Sequence, residues 1–158
     1  MMKAVFRLIT HGLTLLIGFA LGLYTLPILT QPPAPAQDVL QSSAENARFS
    51  GRFTRDLKGS DFLHWGEGAI RVTDTQIVHD GKLAPGPDYR LYLISERAEN
   101  EAEFQAIKGT SAMIGQVDSF NGFALDIPDS IATEDYVGVL IWCEAFEEFI
   151  TSAIYRQP

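Results

Sequence analysis

Tyr136-Val137-Gly138-Val139-Leu140-Ile141-Trp142-Cys143 is a run without a polar side chain other than the tyrosine at its start and the thiol at its end. In a strand, alternate side chains share a face, so Val137, Val139, Ile141 and Cys143 fall on one side, and the intervening positions are apolar as well. A strand apolar on both faces belongs in the interior of a covered sheet. Around it, β-rich stretches occupy 62–72, 76–79, 89–95, 112–117, 122–127 and 149–155. Short strands at that spacing predict an all-β, antiparallel β-sandwich between about Phe49 and Tyr155. A parallel α/β sheet is the weaker alternative, because no amphipathic helix between the strands is long enough for a crossover. Asp80-Gly81 and Asn121-Gly122 are tight-turn dipeptides, the second placed where a hairpin would reverse. The Glu- and Ala-rich stretch 95–106 reads equally as a helix or as an acidic surface loop.

The sandwich leaves the N-terminus to be explained. Residues 12–29, GLTLLIGFALGLYTLPIL, carry no charge and follow Lys3 and Arg7, which predicts a transmembrane helix within residues 1–30. Signal-peptide cleavage is the alternative, since Ala34-Pro35-Ala36 has an A-x-A form, but the run exceeds the usual h-region of roughly 7–15 residues. The basic residues precede the segment, so the positive-inside tendency puts the N-terminus in the cytosol. The expected location is the cell membrane, single-pass, with the domain facing the periplasm or cell exterior. His11 sits at the apolar boundary and reads as an interfacial residue. Gln31-Pro-Pro-Ala-Pro-Ala-Gln37 favours extended geometry and reads as a semi-rigid spacer, with a short helix over 38–47 capped by Asp38 and Gln41. The expected organisation is therefore anchor 1–30, linker 31–47 and domain 48–158.

Of 12 basic residues, Lys3 and Arg7 lie in the anchor, leaving ten against all 20 acidic ones, so the rest of the chain carries about −10. That sign argues against nucleic acid as a partner. There is no hydrolase elbow, phosphate loop or C-x-x-C.

Chemistry rests on few residues. Cys143 is the only cysteine, so in an oxidising compartment it is a packed core residue, an intermolecular partner or a reactive group. Its aliphatic face favours an inert buried thiol, and Glu144, Glu147 and Glu148 would oppose a thiolate if they lay close in space. His64 and His79, with Glu67, Asp80 and Asp88, are acceptable ligand types for zinc or haem iron. Their spacing specifies no metal site. His64 and Glu67 point to opposite faces of a regular strand, so His64 reads as a sheet residue, and His79 beside Asp80-Gly81 as an exposed turn residue. Gly86-Pro87-Asp88 reads as a strand start in which Asp88 accepts local amides. Trp65 and Trp142 read as core or cross-strand residues.

His64-Trp-Gly-Glu-Gly68, then Gly86-Pro87-Asp88, then Trp142-Cys143-x-x-Phe146-x-x-Phe149 occur in the order found in the DM-thirteen domain family, which the chain resembles from about Phe49 to Tyr155. The chain departs from many members where Ile150 replaces Gly, and in the acidity of 98–105. The resemblance implies a β-sandwich module with an electron-transfer role through its single cysteine. On that basis Cys143 is the candidate redox thiol or haem ligand and His64 a second cofactor ligand, haem being one possible cofactor of an otherwise unknown identity. The expected partners are the membrane, through the N-terminal helix, and a redox or other protein. The alternative is a non-catalytic interaction module with Cys143 buried in the core.

Overall fold

A computed structural model of the chain describes residues 2–157; residues 1 and 158, at the outer limits of the expected anchor and domain, lie outside them. The apolar segment forms one helix, α1 (Met2–Thr30), long and apolar enough to cross a membrane. A short helix, α2 (Gln37–Glu45), follows, but without the expected cap. Ala36 holds the N-cap position and Asp38 lies inside the first turn, where its carboxylate accepts only the neighbouring Val39 amide while Gln41 reaches forward to Glu45. Asp38 still complements the helix dipole. The linker between the helices does not stand off as a free spacer. The Gln31 side-chain oxygen accepts from the Phe120 amide at 3.1 Å and from the Asn121 side chain at 3.2 Å.

Eight strands follow: β1 (Phe49–Phe53), β2 (Gly66–Val72), β3 (Gln76–Leu83), β4 (Tyr89–Ile94), β5 (Ala112–Val117), β6 (Phe123–Asp126), β7 (Gly138–Cys143) and β8 (Glu148–Ile154). They make two four-stranded antiparallel sheets, ordered β1-β2-β3-β6 and β5-β4-β7-β8. Their inner faces share one core, in which Ile70, Ile77 and Phe123 of the first sheet meet Leu91, Val139, Ile141 and Cys143 of the second. Strand β7 is an inner strand and buried along its whole length. Its other face, Leu140 and Trp142, packs with Tyr92, Phe149 and Phe104 in a separate outer cluster.

That outer cluster explains the acidic stretch. Helix α3 (Glu101–Ile107) supplies Phe104, fully buried against Tyr92 and Trp142, and so covers the back of the second sheet. Asn100 caps it by accepting the Glu103 amide at 3.0 Å, while the Glu103 carboxylate accepts the Glu99 amide at 2.8 Å. Glu101 and Glu103, both half-buried, form the acidic first turn of a helix, where they complement its dipole. All-β thus describes the sheets but not the whole chain, which also has helices of 29, 9 and 7 residues.

Both turn dipeptides behave differently from expectation. Asp80-Gly81 lies inside β3, where Gly81 pairs with Gly68 of β2. A Cβ on Gly81 would stand 2.0 Å from the Glu67 carbonyl oxygen and 2.7 Å from the His79 ring. The glycine serves close strand approach rather than a reversal. At Asn121-Gly122 the chain does turn, with Gly122 at φ +94°. It does not close a hairpin, because β5 pairs with β4 in one sheet and β6 with β3 in the other. The turn carries the chain across the sandwich.

Candidate functional site

The antiparallel register brings one end of each sheet together. Gly66 at the start of β2 faces Leu83 at the end of β3, and Tyr89 at the start of β4 faces Cys143 at the end of β7, which in turn faces Glu148 of β8. Residues 61–65 precede β2 at this end, 84–88 join β3 to β4, and 144–147 join β7 to β8. Between them lies a cavity of about 390 Å³, lined by Leu63, His64, Pro85, Gly86, Pro87, Tyr89, Cys143, Phe146, Glu148 and Ile150, with Ala20, Leu23 and Tyr24 of α1 as a further wall. The two residues singled out in the sequence as redox or ligand candidates, Cys143 and His64, therefore line one cavity.

Cys143 is 3% exposed. Burial pushes its thiol pKa up; the backbone amides of Phe146, Asp88 and Ala145 favour the thiolate but do not offset that, and the Asp88 charge adds to the rise. The sulfur is therefore a neutral thiol at pH 7. Of the three nearby glutamates, only Glu148 lines the cavity. Glu144 faces elsewhere, accepting from the Tyr92 hydroxyl and, at 2.8 Å, from Lys108. The Lys108 ammonium also lies 5.2 Å from the centre of the Trp142 ring. This network was not foreseen, because α3 and the 3₁₀ turn after it are needed to bring Lys108 to β7.

His64 is not a strand residue. It sits in the 61–65 loop, where the Asp61 carboxylate accepts the amides of Leu63 and His64, both at 2.7 Å, and lies 3.1 Å from His64 Nδ1. Since Asp61 is the acceptor, Nδ1 donates to it, and in the neutral ring this tautomer turns the lone pair to Nε2, the arrangement that prepares a histidine as a ligand. The carboxylate pulls the loop into a turn and holds the ring at the same time.

The remaining candidates fall elsewhere. Glu67 is taken by Arg55, through Nε at 2.8 Å and Nη2 at 3.1 Å, and the same guanidinium lies 3.3 Å from the centre of the Trp65 ring. Trp65 is thus half-buried beneath an arginine, whereas Trp142 is core. Asp88 pairs with Arg90 at 2.9 Å, rather than accepting local amides, and its carbonyl accepts the Glu144 amide at 2.9 Å. Gly86 is needed because a Cβ there would meet the Tyr89 ring at 2.4 Å. Among the described residues no group of three His, Cys, Asp or Glu side chains is placed to hold a metal ion.

His79 corrects the sequence reading most sharply. It is fully buried in β3, not an exposed turn residue, with its ring 5.1 Å from those of both Phe53 and Phe123. Nε2 lies 3.0 Å from the Glu67 carbonyl oxygen and must donate to it, leaving Nδ1 as a bare acceptor without a partner. Burial pulls its pKa down to about 4, against the opposing effects of the Glu67 carbonyl and Asp80. It is a neutral core residue and does not reach the cavity. Asp80, its neighbour, turns outward to Arg71 at 3.4 Å.

Compared with known proteins, residues 52–155 match a family model described as Electron transfer DM13. All three motif pieces lie within the matched stretch, and each gives residues to the cavity wall: His64 from the first, Gly86 and Pro87 from the second, Cys143 and Phe146 from the last. No curated protein and no solved structure matches the chain.

Proposed function

The chain belongs to the DM13 electron-transfer family, and from that membership we propose that it is a membrane-anchored, extracytoplasmic electron-transfer module whose working end is the cavity around Cys143. The observation that carries this reading is the convergence of Cys143 and His64, far apart in sequence, on one cavity with Gly86, Pro87 and Phe146. In it Cys143 is the redox thiol or ligand, His64 the second ligand, and α1 the single-pass anchor with its N-terminus in the cytosol.

The donor chemistry suits a bound redox group such as haem iron. His64 offers a free Nε2 oriented by Asp61, and Cys143 offers a soft sulfur whose proton metal coordination would displace. Such a group would supply the reversible one-electron carrier, and these two residues would hold it. Without one, the neutral thiol is a poor nucleophile, and its burial favours the second reading, a non-catalytic interaction module with Cys143 as core.

Absorption spectra of the full chain, purified from membranes and then reduced, separate the two. The electron-transfer reading expects a chromophore that changes on reduction and is lost in Cys143→Ser with the sheets intact by circular dichroism. A colourless protein that exchanges no electrons with its membrane fraction overturns it, and electron transfer that survives both Cys143→Ser and Cys143→Ala overturns the part given to Cys143. Retention in the pellet after alkaline carbonate extraction tests the anchor, and digestion of the domain by protease added to spheroplasts tests its orientation.

A further inference from the structure

Besides Cys143 and His64, the domain gives the cavity two more proton-bearing side chains, Tyr89 and Glu148. In the second sheet Tyr89 of β4 faces Cys143 of β7, which faces Glu148 of β8, so the three stand in one row on one face. None of them belongs to α1, and strand pairing alone sets their order. Tyr89 is 2% exposed. Among the described residues, the one hydrogen bond it makes outside the strand ladder is accepted by its carbonyl, from Arg90, and its hydroxyl has none. A buried tyrosine normally finds a partner for that group. Burial also raises the Tyr89 pKa, so the hydroxyl keeps a proton to donate.

The rest of the wall says what would satisfy it. Leu63, Pro85, Pro87, Phe146 and Ile150 make the lining mostly apolar. Among the described residues no lysine or arginine lines the cavity, so an anionic ligand meets no counter-charge there. A simple cation would leave the Tyr89 hydroxyl without an acceptor. The fitting occupant is a neutral, largely apolar molecule with an oxygen that accepts from Tyr89. His64 enters the wall from a separate element, the 61–65 loop, and in the tautomer set by Asp61 it offers a lone pair to a hydroxyl. A cavity of about 390 Å³ is in the range that encloses a small organic ring. A neutral ring whose oxygens are carbonyls when oxidised and hydroxyls when reduced is a quinone, and that class carries electrons.

We propose that the Cys143 cavity binds the head of a quinone or hydroquinone, with the Tyr89 hydroxyl donating to one ring oxygen and His64 serving another. The inference rests on the electron-transfer reading for the redox character of the ligand and adds its chemical class.

Titration of the full chain with duroquinone in neutral detergent, followed by proton–nitrogen spectra and corrected for partition into protein-free micelles, tests it. The four ring methyls leave no open ring carbon for the Cys143 thiol. Durene, the same tetramethyl ring without oxygens, is the control. Duroquinone should shift the resonances of residues 61–64, 86–89 and 143–148 saturably, and durene should bind roughly fivefold more weakly or worse. Tyr89→Phe, its fold checked by circular dichroism, should weaken duroquinone by a similar factor and leave durene unchanged. An unchanged duroquinone affinity in the folded variant overturns the assignment. So does durene binding to the wild type as tightly as duroquinone, or the absence of any shift at the cavity, and these hold even if the variant fails to fold. Failure of duroquinone in a chain that still exchanges electrons with its membrane fraction removes the ligand class and leaves the module. Binding that depends on Tyr89, in a chain that exchanges none, keeps the site and removes the module.

Discussion

Replacing His79 by Gln should flatten the acid limb of the stability curve. An unfolded histidine binds its proton near pH 6.5, whereas the native ring, buried between Phe53 and Phe123, stays neutral until about pH 4. Between those values the unfolded chain holds more protons than the native one, so stability falls as pH falls. Above pH 6.5 the contribution is fully present; below about 4 no more is lost. A displacement of that size corresponds to about 3 kcal/mol. In His79→Gln the side-chain amide keeps a donor for the Glu67 carbonyl but has nothing to titrate. Urea unfolding of the full chain in neutral detergent, followed by tryptophan fluorescence at pH 7.5 and pH 4, gives the comparison. The wild type should lose about 3 kcal/mol more than the variant over that range, whatever the variant's stability at pH 7.5. Equal losses would refute the buried, neutral ring, as would a His79 proton resonance titrating near pH 6.5.

Three further outcomes are expected. Iodoacetamide should modify Cys143 in the folded chain far more slowly than a free thiol at pH 8, with the rate restored by urea, because burial holds the sulfur as a protonated thiol; mass spectrometry of timed aliquots reads it, and fast labelling at pH 7 contradicts the geometry. Gly81→Ala should cost about 3 kcal/mol or more, because the new methyl meets the Glu67 carbonyl oxygen, which cannot move without breaking the β2–β3 ladder; a variant whose urea midpoint is unchanged would show that the strands can part. Phe104→Ala should cost about 3–5 kcal/mol by emptying the space between Tyr92 and Trp142; calorimetry measures it, and increased hydrogen exchange in α3 should accompany it.

Strand β7 was legible because its apolarity is double-sided, and alternation alone placed Val139, Ile141 and Cys143 together on what became the inter-sheet face. Helix α1 was legible for a similar reason, since a long uncharged run satisfies its own backbone only as a helix. The acidic stretch was ambiguous in sequence, and the matter was decided by Phe104, whose burial depends on a sheet face assembled from β4, β7 and β8.

His79 was misread because Asp80-Gly81 is a local turn signal, and local signals lose to partners contributed from a distance. The pairing of Gly68 with Gly81, and the contacts of the His79 ring with those of Phe53 and Phe123, exist only once β1, β2, β3 and β6 lie side by side. The cavity has the same origin. Sequence by itself determined the two-sided burial of β7, the apolar helix and the residue types with redox or ligand chemistry, because each follows from a nearest-neighbour pattern. Tertiary structure alone decided that Cys143 and His64 share a cavity, that Glu67 belongs to Arg55 and that Glu144 turns to Lys108, because strand register and loop closure set the distances between residues remote in the chain.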